Sequence, residues 1–223
     1  IFIVVNTNSR FISTNKRVEN MLNIKNCDCM DLMKEYPDKH FELAIVDPPY
    51  GIGASEGYGR SLRNNQRIKE KTWDNEGIPK PEYFNELFRV STNQIIWGGN
   101  YFALHPTRCF IVWDKVNAGR DFADCEMAWT SFDMVARMLQ YRVANDHKQR
   151  IHPTQKPVAL YEWILNKYAK EGDKILDTHM GSGSIAIACH NLGFDLTACE
   201  LDKDYYDAAT KRITFHQAQK RLF

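Results

Sequence analysis

Short apolar runs alternate along this chain with longer segments in which apolar residues recur at helical spacing. Leu22 to Cys27 reads as a strand. Met30 to Tyr36 follows as a helix, with Leu32 and Met33 inward and Asp28 as its cap. Phe41 to Val46 is the next strand. Pro81 to Thr92 reads as a helix opened by its proline, with Tyr83, Phe84, Leu87 and Phe88 apolar. Strands are predicted at Gln94 to Trp97, Cys109 to Trp113 and Glu126 to Thr130. The last third predicts helix Pro157 to Lys170, strand Lys174 to Leu176, helix Ser184 to Leu192, strand Leu196 to Cys199 and helix Tyr205 to Phe215. Strands separated by helices imply an α/β domain around a mainly parallel sheet. Trp97 and Trp113 belong in its core.

Three stretches break the pattern. Residues 1–20 have no clear period and read as a loosely packed extension, with Met21 opening a single folded domain over 21–223. Gly51 to Trp73 holds four glycines and then Arg60, Arg63, Arg67, Lys69 and Lys71, with few apolar residues. It reads as a long mobile loop, either a solvated insert or a basic lid for a phosphate backbone. Phe132 to Gln149 is irregular and carries Arg137, Arg142 and Lys148.

Composition narrows the class only a little. The 223 residues carry a net charge of +1, so any affinity for nucleic acid has to come from a local patch. The six cysteines form no Cys-x-x-Cys pair or zinc-like cluster and read as reduced structural thiols, with no metal expected. No apolar run is long enough to span a membrane, and Ile1 to Val5 is too short for a signal peptide, which makes a cytoplasmic protein the expectation.

The strand from Phe41 runs into Asp47-Pro48-Pro49-Tyr50-Gly51. The prolines fix their own φ and donate no N–H, leaving carbonyl acceptors on a stiff turn. A carboxylate and a flat ring stand beside them. Rigid acceptors next to an aromatic surface suit a planar substrate that bears an amino group.

A second site-like stretch is Asp177-Thr178-His179-Met180-Gly181-Ser182-Gly183-Ser184 between a strand and a helix, with Glu200 at the end of the following strand. By pattern alone this satisfies the dinucleotide fingerprint, and a dinucleotide-dependent oxidoreductase is a rival on that evidence.

The Asp-Pro-Pro-Tyr turn, His152-Pro-Thr-Gln-Lys156-Pro157, the glycine loop and Cys199-Glu200-Leu201-Asp202, in this order, resemble the β-class S-adenosylmethionine-dependent DNA amino-methyltransferases. These methylate adenine N6 or cytosine N4; adenine enzymes usually carry Asp first in the turn and cytosine enzymes Ser. The likeness covers roughly residues 21–223. It implies a Rossmann-like methyltransferase fold, with a seven-stranded, mostly parallel sheet, one antiparallel strand and helices on both faces. It implies DNA as substrate, base flipping, S-adenosylmethionine as cofactor, a possible homodimer and a short target-recognition segment at 131–151. Asp47, Pro48, Pro49 and Tyr50 take the catalytic positions, with Tyr50 stacking on the extruded base. The cofactor positions fall on Asp28 (near the adenine), Asp177, His179, Gly181, Gly183, Ser184 and Glu200. Lys156 is either a surface lysine at a helix start or a donor to the cofactor carboxylate. The chain departs from the family at Thr178-His179, where members usually have Pro-Phe, and His179 reads either as a plain packing substitution or as a stacking ring that titrates near neutrality. Asn100 is a further candidate for the target pocket.

Electrostatics separates the cofactors. A carboxylate at Asp177 would repel a pyrophosphate and attract the ammonium of a methionine moiety. The leading expectation is an adenine-N6 DNA methyltransferase. Cytosine-N4 transfer is the near alternative, and a catalytically silent DNA-binding module is the non-enzymatic one.

Overall fold

A computed structural model describes residues 21–53, 77–117, 123–142 and 150–219. These build one eight-stranded sheet between two helical layers. In chain order the elements are β1 (Leu22–Lys25), α1 (Cys29–Lys34), β2 (Phe41–Val46), α2 (Pro81–Val90), β3 (Ser91–Trp97), β4 (Phe110–Asp114), β5 (Cys125–Thr130), β6 (Arg137–Gln140), α3 (Val158–Tyr168), β7 (Lys174–Asp177), α4 (Ser184–Leu192), β8 (Asp195–Cys199) and α5 (Lys203–Ala218). Across the sheet the order is β1-β8-β7-β2-β3-β5-β4-β6. Only β5 runs against its neighbours, pairing antiparallel with both β3 and β4.

The sheet has one strand more than the expected seven. The addition is β6, inside the stretch that reads as irregular. It is a short edge strand parallel to β4, and Met138 lies 60% exposed on it. A strand with one neighbour, three exposed residues and only Leu139 packed against the core lacks the apolar alternation that marks a half-buried strand, so the sequence pattern passes over it. The expected break between the first long helix and the third strand is also absent. α2 passes directly into β3 at Ser91, whose hydroxyl bonds Leu87 O at 2.5 Å and ends the helix.

From Leu43 to Val46, alternate residues of β2 feed the two cores, as a strand buried on both faces requires. Leu43 and Ile45 pack with α3, α4 and α5, together with Trp97 and Trp113. Phe41, Ala44 and Val46 pack with α1 and α2. Among the described residues no helix is long and apolar enough to cross a membrane, no His/Cys/Asp/Glu group could hold a metal, and the six cysteines are free.

Candidate active site

The central pair of strands decides where a ligand can enter. β7 connects through α4 to β8 on one side, and β2 connects through α2 to β3 on the other. Connections that diverge from adjacent strands leave a crevice at the strands' carboxyl ends. β2 and β7 are those strands, paired in parallel at Leu43↔Ile175 and Ala44↔Leu176. Asp177 closes β7, and Asp47 follows β2 directly. The two candidate motifs therefore share one crevice.

On the β2 side the Asp47 carboxylate is held at both oxygens. Tyr50 Oη donates to Oδ1 at 2.5 Å, and Lys156 Nζ donates to Oδ2. Lys156 is not a surface lysine. It is 3% exposed, and its ammonium also pairs with Glu126 Oε2 at 3.0 Å while lying 5.0 Å from the Trp97 ring centroid. Glu126 is gripped in turn by Lys115 at 2.6 Å. Burial alone would lower the Lys156 pKa, but Asp47 and Glu126 outweigh it and hold it above the ordinary lysine value. Burial alone would raise Glu126, yet Lys156 and Lys115 hold it below the usual carboxylate range. Four alternating charges thus run Lys115, Glu126, Lys156, Asp47.

The Tyr50 ring is set by its neighbours. Tyr101 stacks on it at 5.1 Å and 17°, and Phe102 meets it edge-on at 6.2 Å. Gly98, at φ +68°, lies so close that a Cβ there would stand 2.2 Å from Tyr50 Cε1. Only a glycine supplies both that backbone conformation and that clearance. Asn100 is exposed on the same 3-10 turn, Gly99–Tyr101, at the rim of the ring stack.

On the β7 side the groups are held by backbone. Asp177 is 2% exposed and accepts the His179 N–H at 3.0 Å. Burial pushes its pKa up to about 8; the His179 N–H opposes that shift, and the Asp47 and Glu200 charges reinforce it. Glu200 accepts the N–H of Gly181 and the N–H of Asp202, each at 2.9 Å, tying the glycine loop to the end of β8. Gly183 caps α4 at φ +71°, and a Cβ there would come within 2.9 Å of Ile213 Cδ1 on α5. Asp28 caps α1 by accepting the Met30 N–H at 2.7 Å, and its charge is felt at His179.

Several expectations are corrected. His179 does not titrate near neutrality, because burial lowers its pKa to about 4. Its Nδ1 is 2.9 Å from Thr178 Oγ1, and its ring meets Tyr83 edge-on at 5.3 Å, so at pH 7 it is an uncharged flat ring. The Ser184 hydroxyl, a candidate cofactor contact, accepts from Arg212 Nη1 at 3.0 Å. Arg212 also donates to Ser182 O at 2.8 Å. Lys156, a candidate donor to a cofactor carboxylate, is committed to two protein carboxylates. Arg60, Arg63, Arg67, Lys69 and Lys71 lie outside the described residues, as does 143–149 of the candidate recognition segment.

Sequence reasoning missed Glu126, Lys115, Gly98 and Tyr101. Glu126 left a signal: in the period of β5 it shares a face with Ala128 and Thr130, both buried, where an acid requires a partner. The partner itself, thirty positions away in a loop, left none.

Comparison with known proteins agrees with this geometry. A family model described as DNA methylase matches residues 69–211. The type II methyltransferase M2.DpnII of Streptococcus pneumoniae is 29% identical over 167 residues, covering 74% of this chain and 56% of that enzyme. M.HpaI of Haemophilus parainfluenzae is 39% identical over 62 residues, covering 28% of this chain and 20% of that enzyme. The chain thus spans about half the length of the first of these curated relatives and less of the second. Among solved structures, the M1.HpyAVI–SAM complex aligns with a TM-score of 0.59 at 23% identity, covering 86% of this chain and 99% of that one. The PvuII cytosine-N4-specific DNA methyltransferase aligns at 0.59 with 12% identity, covering 92% and 88%.

Proposed function

The chain belongs to the DNA methylase family, and from that premise we propose that it transfers a methyl group from S-adenosylmethionine to adenine N6 of a base extruded from DNA. The observation that carries the reading is the shared crevice, with Asp47 and Asp177 at the ends of adjacent strands.

The cofactor fits the β7 side on chemical grounds. A buried carboxylate whose pKa has been driven up to about 8 gains most from a cation, and the methionine ammonium is one. A pyrophosphate would meet two acids there, Asp177 and Glu200, and the dinucleotide reading gives way. Glu200 suits the ribose hydroxyls, Gly181 and Gly183 give close backbone, the neutral His179 ring offers a flat face, and Asp28 lies toward the adenine. When bound, the cofactor supplies an electrophilic methyl group on sulfur.

The rest of the chemistry belongs to the β2 side. An exocyclic amine is a poor nucleophile because its lone pair is delocalised into the ring. Asp47 and the Pro48 carbonyl accept its two N–H bonds and draw the nitrogen toward tetrahedral geometry. Positive charge grows on that nitrogen as the bond forms, and acceptors already fixed in place stabilise it without reorganising. Lys156, held protonated by its carboxylates, is no proton acceptor, so the proton released after transfer leaves to solvent. Tyr50 stacks on the base, worth about 1–3 kcal/mol. Target recognition falls to residues 131–151 and 51–73.

The near alternative is cytosine N4. The PvuII enzyme, cytosine-N4-specific by its name, shares the fold, so the sheet suits either base. Asp47 in the first position of the turn favours adenine. The test is digestion of methylated DNA to nucleosides and mass spectrometry, with Asp47→Ala alongside. N6-methyladenine from the parent chain, its loss in D47A and unchanged cofactor binding support the reading. N4-methylcytosine reassigns the base. A chain that binds DNA and cofactor without transfer is the silent module.

A further inference from the structure

Asp47 has more neighbours than the proposed reaction needs, and one of them lies beyond its reach. Glu126 does not touch Asp47. Among the described residues its ion-paired link to the turn runs through Lys156, which stands between the two carboxylates, and its charge is also felt at Tyr50. Its other oxygen is fixed by Lys115, and the Trp97 ring lies against the Lys156 ammonium. The same ammonium lies 3.5 Å from Tyr50 Oη, and Tyr161 and Asp177 complete the titratable surroundings. A buried ion chain of this kind is costly to assemble, since each charge forfeits hydration. Fold stability is a weak reason to keep it, because apolar residues would pack there as well.

We propose that Glu126 is a positioning residue for methyl transfer, acting through Lys156 to hold the Asp47 carboxylate aligned toward the target amine. The inference rests on the methyltransferase reading above. Its logic is geometric first. With Lys156 anchored on Glu126, the ammonium cannot follow Asp47, and the carboxylate plane is pinned between Lys156 and the Tyr50 hydroxyl. The directions of the remaining lone pairs are then fixed by the two bonds already made. The second part is electrostatic. Lys115, Glu126, Lys156 and Asp47 sum to zero net charge. Removing the Glu126 charge leaves one net positive charge beside a nitrogen that becomes cationic in the transition state, and lets Lys156 withdraw more of the Asp47 negative charge.

The test is Glu126→Gln, which keeps size and a hydrogen-bond acceptor for Lys156 but removes the charge. The expected result is a fall in single-turnover methyl transfer of about ten- to a hundredfold at saturating DNA and cofactor. Cofactor Kd should stay within about twofold, since Glu126 faces the other side of the crevice from the glycine loop. Carbon-13 NMR of Lys156 should show its titration midpoint moving down, because one of its two carboxylates is gone. If E126Q does not fold, Glu126→Asp retracts the carboxylate by one methylene and should give a smaller drop in rate of the same kind, again with unchanged Kd. A wild-type transfer rate in the folded variant overturns the proposal. So does a parallel loss of rate, cofactor affinity and melting temperature, which marks a merely structural role. Asp47→Ala run beside it separates the two levels: transfer that survives in D47A sinks the methyltransferase reading, whereas a dead D47A with a fully active E126Q sinks only the role of Glu126.

Discussion

The two sides of the crevice hold their acids by different means. At the ends of β7 and β8, Asp177 and Glu200 are bound by backbone N–H groups: His179 for the first, Gly181 and Asp202 for the second. At the end of β2, Asp47 is bound by side chains, one from its own turn and one from a loop before α3, itself anchored on β5. The first arrangement leaves a buried carboxylate unmatched by any cation in its own hydrogen bonds, with its pKa raised to about 8. The second surrounds the carboxylate with charge that is already balanced. On the proposed reading, one side receives a cation from outside and the other presents an acceptor already held by its neighbours.

Substitutions at the two acids should therefore break different measurements. The largest effect is expected from Asp177→Ala, which removes the proposed partner of the cofactor ammonium. A charge-assisted hydrogen bond lost at a buried site weakens S-adenosylmethionine binding by about a hundredfold by calorimetry. Cofactor affinity within about threefold of the parent would deny Asp177 that role.

Gly98→Ala strikes the other side. Its Cβ would collide with the Tyr50 ring, and φ at +68° disfavours any side chain there. Methyl transfer should drop by about tenfold or more with cofactor affinity kept. A variant that transfers at the parent rate would mean that the ring position is unimportant.

The pH dependence sharpens the contrast. Asp177 is protonated below about 8 in the free protein and must ionise to meet an ammonium, so binding releases a proton. Cofactor affinity should strengthen as pH rises from 6 to 8, by up to about tenfold per unit. Calorimetry in two buffers of different ionisation enthalpy counts the proton, and a pH-independent Kd would contradict the raised pKa. Stability of the free protein runs the other way. The folded pKa of Asp177 lies above its ordinary value of 3.8, so its contribution is full below that value and is lost as pH rises through 8. Asp177→Asn should accordingly raise Tm more at pH 8 than at pH 5.

The smallest effect separates ring from hydroxyl at Tyr50. Tyr50→Phe removes one bond to Asp47, which Lys156 still holds, and should cost a few-fold in rate. Tyr50→Ala also removes the stacking surface, and its loss should exceed that of Phe by about tenfold. Equal losses would argue that the hydroxyl, not the ring, matters.

The contrast also explains what was legible. Asp177 bonds His179 and Glu200 bonds Asp202, each two residues on, and local spacing along a strand–turn–helix unit reveals such groups. The Ser184–Leu192 helix and the Phe41–Val46 strand were readable to the residue because both are continuous and buried. β6 was not, since an edge strand with three exposed residues has no pattern to read. Nor was the true place of Lys156. A lysine between a proline-rich turn and a helix reads as surface, and only the folded chain brings Glu126 and Asp47 to it.

By itself the sequence determined the alternation of strands and helices, the stiff acid–proline turn and the acid ahead of the glycine loop, because each depends on bonding within a short stretch. Which two strands lie side by side was decided only by the tertiary structure, as was the state of their acids. Sheet order, burial and the pairing of charges more than a hundred residues apart are properties of packing, and no local pattern carries them.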